Sequence, residues 1–159
     1  MHTAYLLCGG NLGNRLEYLR EAAALISTLA GRLTAASSIF ETEAWGNTDQ
    51  NPFLNQVLAL RTKLAAADLM TLLLSIEVDM GRLRQELYGP RTIDIDILFF
   101  DSEIHHSRHV TIPHPEIARR RFALVPMAEL APFMVHPVLL KTMEQLLAEC
   151  TDPLIVQKI

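Results

Sequence analysis

Residues 89–100 read Gly-Pro-Arg-Thr-Ile-Asp-Ile-Asp-Ile-Leu-Phe-Phe. On a strand, side chains alternate between faces. Asp94 and Asp96 therefore project together from one face, and Ile93, Ile95 and Ile97 project from the other, into a core. Two carboxylates side by side in the most apolar strand of a chain repel each other and lose solvation, which costs stability unless a cation sits between them. Two hard oxygen ligands, with no His or Cys beside them, suit Mg²⁺, which takes one or two carboxylates and leaves its other positions to water and phosphate. The plain alternative is an edge strand with its polar face in water. The neighbours weigh against it. Gly89-Pro90 makes a rigid turn before the strand, Arg91 enters three residues ahead of Asp94, and Leu98, Phe99 and Phe100 are apolar on both faces. The expectation is a central strand with an anion site at its mouth.

Working outward, Thr3 to Cys8 reads as a buried strand and residues 9–13 as a turn. Asn14 caps the next helix, with Glu17 three residues on as a capping-box partner. Leu16, Leu19, Ala23, Ile26 and Ala30 stripe that helix, and Gly31 ends it. Residues 33–42 read as one strand, 43–52 as a loop and 53–62 as a second long strand. Leu69, Leu72, Leu73, Ile76 and Met80 stripe a second helix that stops at Gly81. Residues 82–90 form a charged loop without apolar periodicity, and the aspartate strand follows. A turn and a short strand lead to Pro113. Arg121 to Leu130 reads as a helix strained by Pro126, and residues 139–149 as a last helix. The order β-α-β-β-α-β predicts an α+β, ferredoxin-like sandwich, with a mainly antiparallel sheet and helices packed on one face.

At 159 residues the chain is the size of one domain, 1–159, with room for a core. Its formal net charge of −4 argues against a general nucleic-acid binder. The basic residues are nevertheless concentrated, with Arg82, Arg84 and Arg91 in one group and Arg119, Arg120 and Arg121 in another. Cys8 and Cys150 have no metal or disulfide spacing. No charged and apolar leader opens the sequence, and no apolar run approaches the ~20 residues of a membrane span. The expected setting is cytoplasmic, with no nucleic-acid or membrane partner.

Several patterns compete for attention. Gly9-Gly10-Asn11-Leu12-Gly13 fits neither common phosphate-loop pattern and reads as a tight turn. His105, His106 and His109 match no standard zinc spacing. Asn55 lies in an otherwise apolar strand, and a buried amide needs partners. Its donor and acceptor suit the edge of a heteroaromatic ring. Phe53 and Phe122, taken alone, read as core. The loop 82–90, carrying Arg82, Arg84 and Tyr88 directly before the aspartate strand, reads as a lid.

GPRTIDIDILFFD resembles the most diagnostic segment of the 6-hydroxymethyl-7,8-dihydropterin pyrophosphokinase family. Gly9 to Gly13, Phe53-Leu54-Asn55, Glu77 with Gly81-Arg82-Leu83-Arg84, Pro113-His114-Pro115 and Arg119-Arg120-Arg121-Phe122 resemble other family segments, in order and over nearly the whole chain. The resemblance implies the same fold, as a monomer. It implies transfer of diphosphate from ATP to the pterin hydroxymethyl group with release of AMP, in folate biosynthesis. It also implies two Mg²⁺ ions held by Asp94 and Asp96, with Arg82 and Arg91 stabilising charge on the transferring group. By position, Glu77, Arg84, Thr111, His114 and Arg120 would surround ATP. Thr42, Trp45, Phe53, Asn55, Tyr88 and Phe122 would surround the pterin, with Asp94 close to it.

The chain departs from the family pattern at Gly10 (usually Ser), Glu43 (commonly Pro) and Tyr88 (generally Trp), and at Leu74 and His109, where polar or basic nucleotide contacts are frequent. These departures bear on ATP affinity more than on the reaction. Two other readings stand beside this one: a Mg²⁺-dependent phosphohydrolase using the same aspartates, and a non-catalytic ferredoxin-like binding module.

Overall fold

The alternation of apolar residues in His2–Gly10 and Phe53–Thr62 builds the two long strands at the heart of the structure, β1 and β4. The computed structural model describes residues 1–44, 49–81 and 92–159. Trp45, Arg82, Arg84, Tyr88, Arg91 and the predicted lid 82–90 lie outside the described residues. Helix α1 (Arg15–Leu29) follows β1, and strands β2 (Arg32–Ala36) and β3 (Phe40–Thr42) lead to β4. Helix α2 (Ala66–Asp79) precedes β5 (Asp94–Phe100). A small hairpin of β6 (His105–His106) and β7 (Thr111–Ile112) leads through a 3-10 turn at Ile117–Arg119 to α3 (Arg121–Leu130). Helix α4 (Met143–Glu149) and strand β8 (Val156–Lys158) close the chain.

The main sheet is antiparallel, in the order β5-β1-β4-β3-β8, with β2 also paired to β4. Helices α1 and α2 pack on one face over Leu6, Cys8, Leu58, Leu60, Ile95 and Ile97. On the opposite face α3 and α4 bury Leu7, Val57, Leu98 and Phe99. That leaves the rows toward the start of β5 for polar side chains.

Three expectations are corrected. Among the described residues the aspartate strand is not central: β5 pairs with β1 alone of the sheet strands. Its second half is apolar on both faces because both faces are covered there, by α2 below and α3 above. Among the described residues its outer edge is met by a side chain and a loop amide instead of a strand. Glu77 Oε2 accepts the Ile95 amide at 2.6 Å, and the His114 amide donates to the Leu98 carbonyl at 3.0 Å. The predicted strand 33–42 is broken at Ser37. Its hydroxyl accepts the Val57 amide at 2.9 Å and so substitutes for a backbone group in the ladder. The last helix starts at Met143 rather than at 139. Thr142 and Gln145 form its capping box, and Leu140 has φ 58.

Candidate active site

Cross-strand register fixes which side chains share the polar end of the sheet. Asp94 lies opposite Gly9, and Gly9 opposite Asn55; one row further on, Asp96 lies opposite Leu7, and Leu7 opposite Val57. Directly opposed residues project to the same face. Asp94, Asp96 and Asn55 therefore meet on the face away from α1 and α2. Gly9 is required in the middle: a Cβ there would run into Asn55 Oδ1 and stand 3.0 Å from the Leu54 carbonyl oxygen. The Asn55 amide thus lies across the glycine, toward Asp94. Asn55 is buried, while Asp94 and Asp96 are half-buried. The predicted pairing of the two carboxylates on one face is what the strand forms.

Negative charge converges here. The Cys8 thiol, buried beneath the site, is pushed far above its ordinary range by burial and then by the charges of Asp96, Glu77 and Asp94. Glu77 itself is buried at the end of α2, with its carboxylate on the Ile95 amide. It holds the strand that carries the aspartates. An orphaned amide at Ile95 would cost ~1–3 kcal/mol.

His114 approaches from the other side. Its Nδ1 accepts the Glu116 amide at 3.1 Å, so the proton of the neutral ring sits on Nε2 as a donor. Burial first, and the Arg120 guanidinium second, push His114 down to about 4 against the opposing pull of Asp94 and Glu116. The unfolded chain takes up this proton near the ordinary value of 6.5. Stability from the neutral ring is therefore complete above that pH and lost as pH falls toward about 4. His136, also pushed down by burial, acts in the same direction. His114→Asn is expected to flatten the loss of melting temperature across this acid window. An unchanged slope would show that the ring titrates as it does in the unfolded chain.

The three consecutive arginines separate. Arg119 is exposed and pairs with Glu116 at 2.7 Å. Arg121 is tied to the C-terminal segment through the carbonyl oxygens of Asp152, at 3.1 Å, and Cys150, at 2.8 Å. Arg120 lies near enough for its charge to act on the His114 ring, with its guanidinium carbon 5.8 Å from the Phe122 ring centroid. Phe53, on the same face of β4 as Asn55, and Phe122, at the start of α3, are both half-buried. Thr111 is exposed in β7. The Thr42 hydroxyl donates to the Ile155 carbonyl at 2.8 Å, so its side chain serves the C-terminal segment. His109 Nε2 lies 2.9 Å from the Thr71 hydroxyl of α2.

Two supports were not singled out from the sequence. Asn11 is buried and donates to Gln50 Oε1 at 3.0 Å and the Asn51 carbonyl at 2.9 Å. Arg15 donates to Glu41 at 2.7 Å and the Pro52 carbonyl at 2.9 Å. Together they shape the approach to Phe53. The signal available was Asn11 itself, an amide directly after an apolar strand.

Such a face can bring a polyphosphate to a cation and hold a second, polar substrate beside it. That is the work of a nucleotide-dependent transferase. Comparison with known proteins gives the particular kind. The chain belongs to the family described as 7,8-dihydro-6-hydroxymethylpterin-pyrophosphokinase (HPPK), whose model matches residues 5–132. It is 41% identical over 128 residues to the 2-amino-4-hydroxy-6-hydroxymethyldihydropteridine pyrophosphokinase of Bacillus subtilis, covering 80% of this chain and 77% of that one. The enzyme of the same name from Aquifex aeolicus is 33% identical over 151 residues, covering 95% and 94%. The fold is shared with the crystal structure of an HPPK-DHPS protein in complex with substrates, at a TM-score of 0.75 and 16% identity. That match covers 93% of this chain and 44% of the other.

Proposed function

We infer that this chain transfers diphosphate from ATP to the hydroxymethyl group of 6-hydroxymethyl-7,8-dihydropterin, releasing AMP, in folate biosynthesis. Family membership supports the reaction. The observation that carries the residue assignment is the row Asp94–Gly9–Asn55, which puts a half-buried carboxylate and a buried amide on one face, either side of a glycine.

Asp94 and Asp96 are the residues that would hold Mg²⁺, two ions in this reading. The donor set fits: carboxylate oxygens from alternate positions, half-buried, in a region already rich in negative charge. When bound, the metal supplies charge neutralisation along the triphosphate and lowers the pKa of the attacking hydroxyl. The rest is positioning, as in phosphoryl transfer generally. The hydroxymethyl oxygen attacks the β-phosphorus and gives its proton to solvent, the bond from the β-phosphorus to the α–β bridging oxygen breaks, and AMP leaves with that oxygen. His114 offers its Nε2–H to a phosphate oxygen as a neutral donor. Arg120 brings a permanent charge beside it, and Glu77, Arg84 and Thr111 complete the nucleotide side. Asn55 reads the pterin edge, with Phe53 and Phe122 on the ring faces, and Thr42, Trp45 and Tyr88 around them. Since the Thr42 hydroxyl is engaged with Ile155, contact from Thr42 would come from its main chain. Arg82 and Arg91 stabilise charge on the transferring group. We take the working unit to be a monomer with one domain over 1–159, acting on small molecules in the cytoplasm. Among the described residues no helix is long and apolar enough to cross a membrane.

Incubation with ATP, Mg²⁺ and the reduced hydroxymethylpterin, followed by separation of the nucleotides, tests this reading. AMP is expected as the product, formed only when the pterin is present. ADP as the main product would overturn the assignment, and nucleotide breakdown without pterin would indicate a hydrolase.

A further inference from the structure

We propose that His2, Asp101 and Glu103, with His105 behind Glu103, form a second metal site, for a borderline divalent cation such as Zn²⁺, at the opposite end of β5 from Asp94. The site is separate from the catalytic face. Asp94 and Asp101 are seven residues apart on an extended strand, roughly 20 Å.

The fold assembles donors that are scattered in the sequence. His2 Nδ1 lies 2.7 Å from Asp101 Oδ2 and 4.0 Å from Glu103 Oε2. One ligand atom from each of these three residues lies within 4.8 Å of the others. Glu103 Oε1 in turn lies 2.7 Å from His105 Nε2. Zinc–nitrogen and zinc–oxygen bonds of about 2.0–2.2 Å place tetrahedral donors roughly 3.3 Å apart. The observed separations bracket that figure, so small rotations of half-exposed side chains suffice.

The donors are also held from behind. Asp101 Oδ1 accepts the Thr3 amide at 2.8 Å, which leaves Oδ2 aimed at His2. The Asp101 amide donates to the Thr3 carbonyl at 2.8 Å, and the Glu103 amide to the Phe100 carbonyl at 3.0 Å, so the turn is pinned to both strands. The His2 ring lies against Phe100, with centroids 4.8 Å apart. Such supporting bonds orient ligands in metal sites. A plain surface ion pair explains His2 with Asp101, but not the convergence of a second carboxylate on the same imidazole. The chemistry differs from that of the catalytic pair. Imidazole mixed with carboxylate suits zinc, whereas carboxylates alone suit Mg²⁺. On binding, the ion takes the Nδ1 lone pair of the neutral His2 ring, whose single N–H then sits on Nε2. The ion would tie the start of β1 to the end of β5.

The test is calorimetric titration of the untagged protein with Zn²⁺ in excess Mg²⁺, which occupies the hard-ligand face. One equivalent is expected to bind and to raise the melting temperature. Asp96→Asn should keep this binding. His2→Ala and Glu103→Gln each remove a direct ligand, so each should weaken it by more than the roughly 10- to 100-fold that loss of a supporting partner costs. Glu103→Gln keeps the side-chain shape, so it decides the matter should His2→Ala fold poorly. Binding that survives both substitutions, that disappears with Asp96→Asn, or that is absent in Mg²⁺ would overturn the proposal.

Discussion

Asp96→Asn is expected to lower turnover by ~1,000-fold while leaving the ligand-free protein as stable as wild type or slightly more so. The two halves of this result have one cause. Asp94 and Asp96 project from the same face of β5, ~7 Å apart along the strand, and are partly withdrawn from water. Glu77 adds a third carboxylate close enough for all three to act on Cys8. Without a cation this is a concentration of like charge, and replacing one carboxylate by an amide of the same shape relieves it. With a cation and a triphosphate the sign reverses, because the same charge is what binds the metal. Metal ions supply several kcal/mol of charge stabilisation in such transition states, and about 4 kcal/mol corresponds to a factor of about a thousand. Steady-state assays at saturating Mg²⁺ measure the loss. Turnover within about tenfold of wild type would remove Asp96 from the metal site.

Arg82→Ala and Arg91→Ala form the second large effect. Each should reduce kcat by ~1,000-fold or more, the range in which a single arginine acts on a transferring phosphoryl group. KM should change far less, because a contact made mainly in the transition state affects the chemical step selectively. The planar guanidinium matches phosphate oxygens two at a time, so Arg→Lys should recover little of the loss. These residues are assigned from their place between α2 and β5, directly ahead of the aspartates, and from the family resemblance. A variant that raised KM with kcat intact would move its arginine from catalysis to ground-state binding.

The parts of the fold legible in the sequence are those where local pattern and global packing agree. Asn14 caps α1, accepting the Glu17 amide at 3.2 Å, because a polar turn residue stands directly before an apolar stripe. Asp94, Asp96 and Asn55 stand out because each is polar in an apolar strand, and register then brings them to one face. The edge position of β5 was hidden for a physical reason. An apolar strand looks the same whether its free edge meets another strand or the side chain of Glu77 and the backbone of His114. The break at Ser37 and the pairing of Val156–Lys158 with β3 depend on partners many residues away, which no local window contains. The arginine cluster shows the same limit. Three adjacent guanidiniums look alike in sequence, yet Arg120 acts on His114, Arg119 faces solvent, and Arg121 holds the C-terminal segment. Asp152, which accepts the Arg121 amide at 3.0 Å at the start of α3, gave no signal beyond being an acid near the end of the chain.

The central claim is that the carboxylates of β5 hold the cation that binds the nucleotide. Thermal melts of wild type and Asp96→Asn, each with and without Mg²⁺ and a non-hydrolysable ATP analogue, test it most directly. A ligand at about 100 times its Kd stabilises by roughly 2.7 kcal/mol, or about 5–11 °C for a domain of this size. Wild type should show that shift and Asp96→Asn should lose most of it, so that the variant melts at or above wild type without ligand and below it with ligand. Equal ligand-induced shifts in the two proteins would contradict the account.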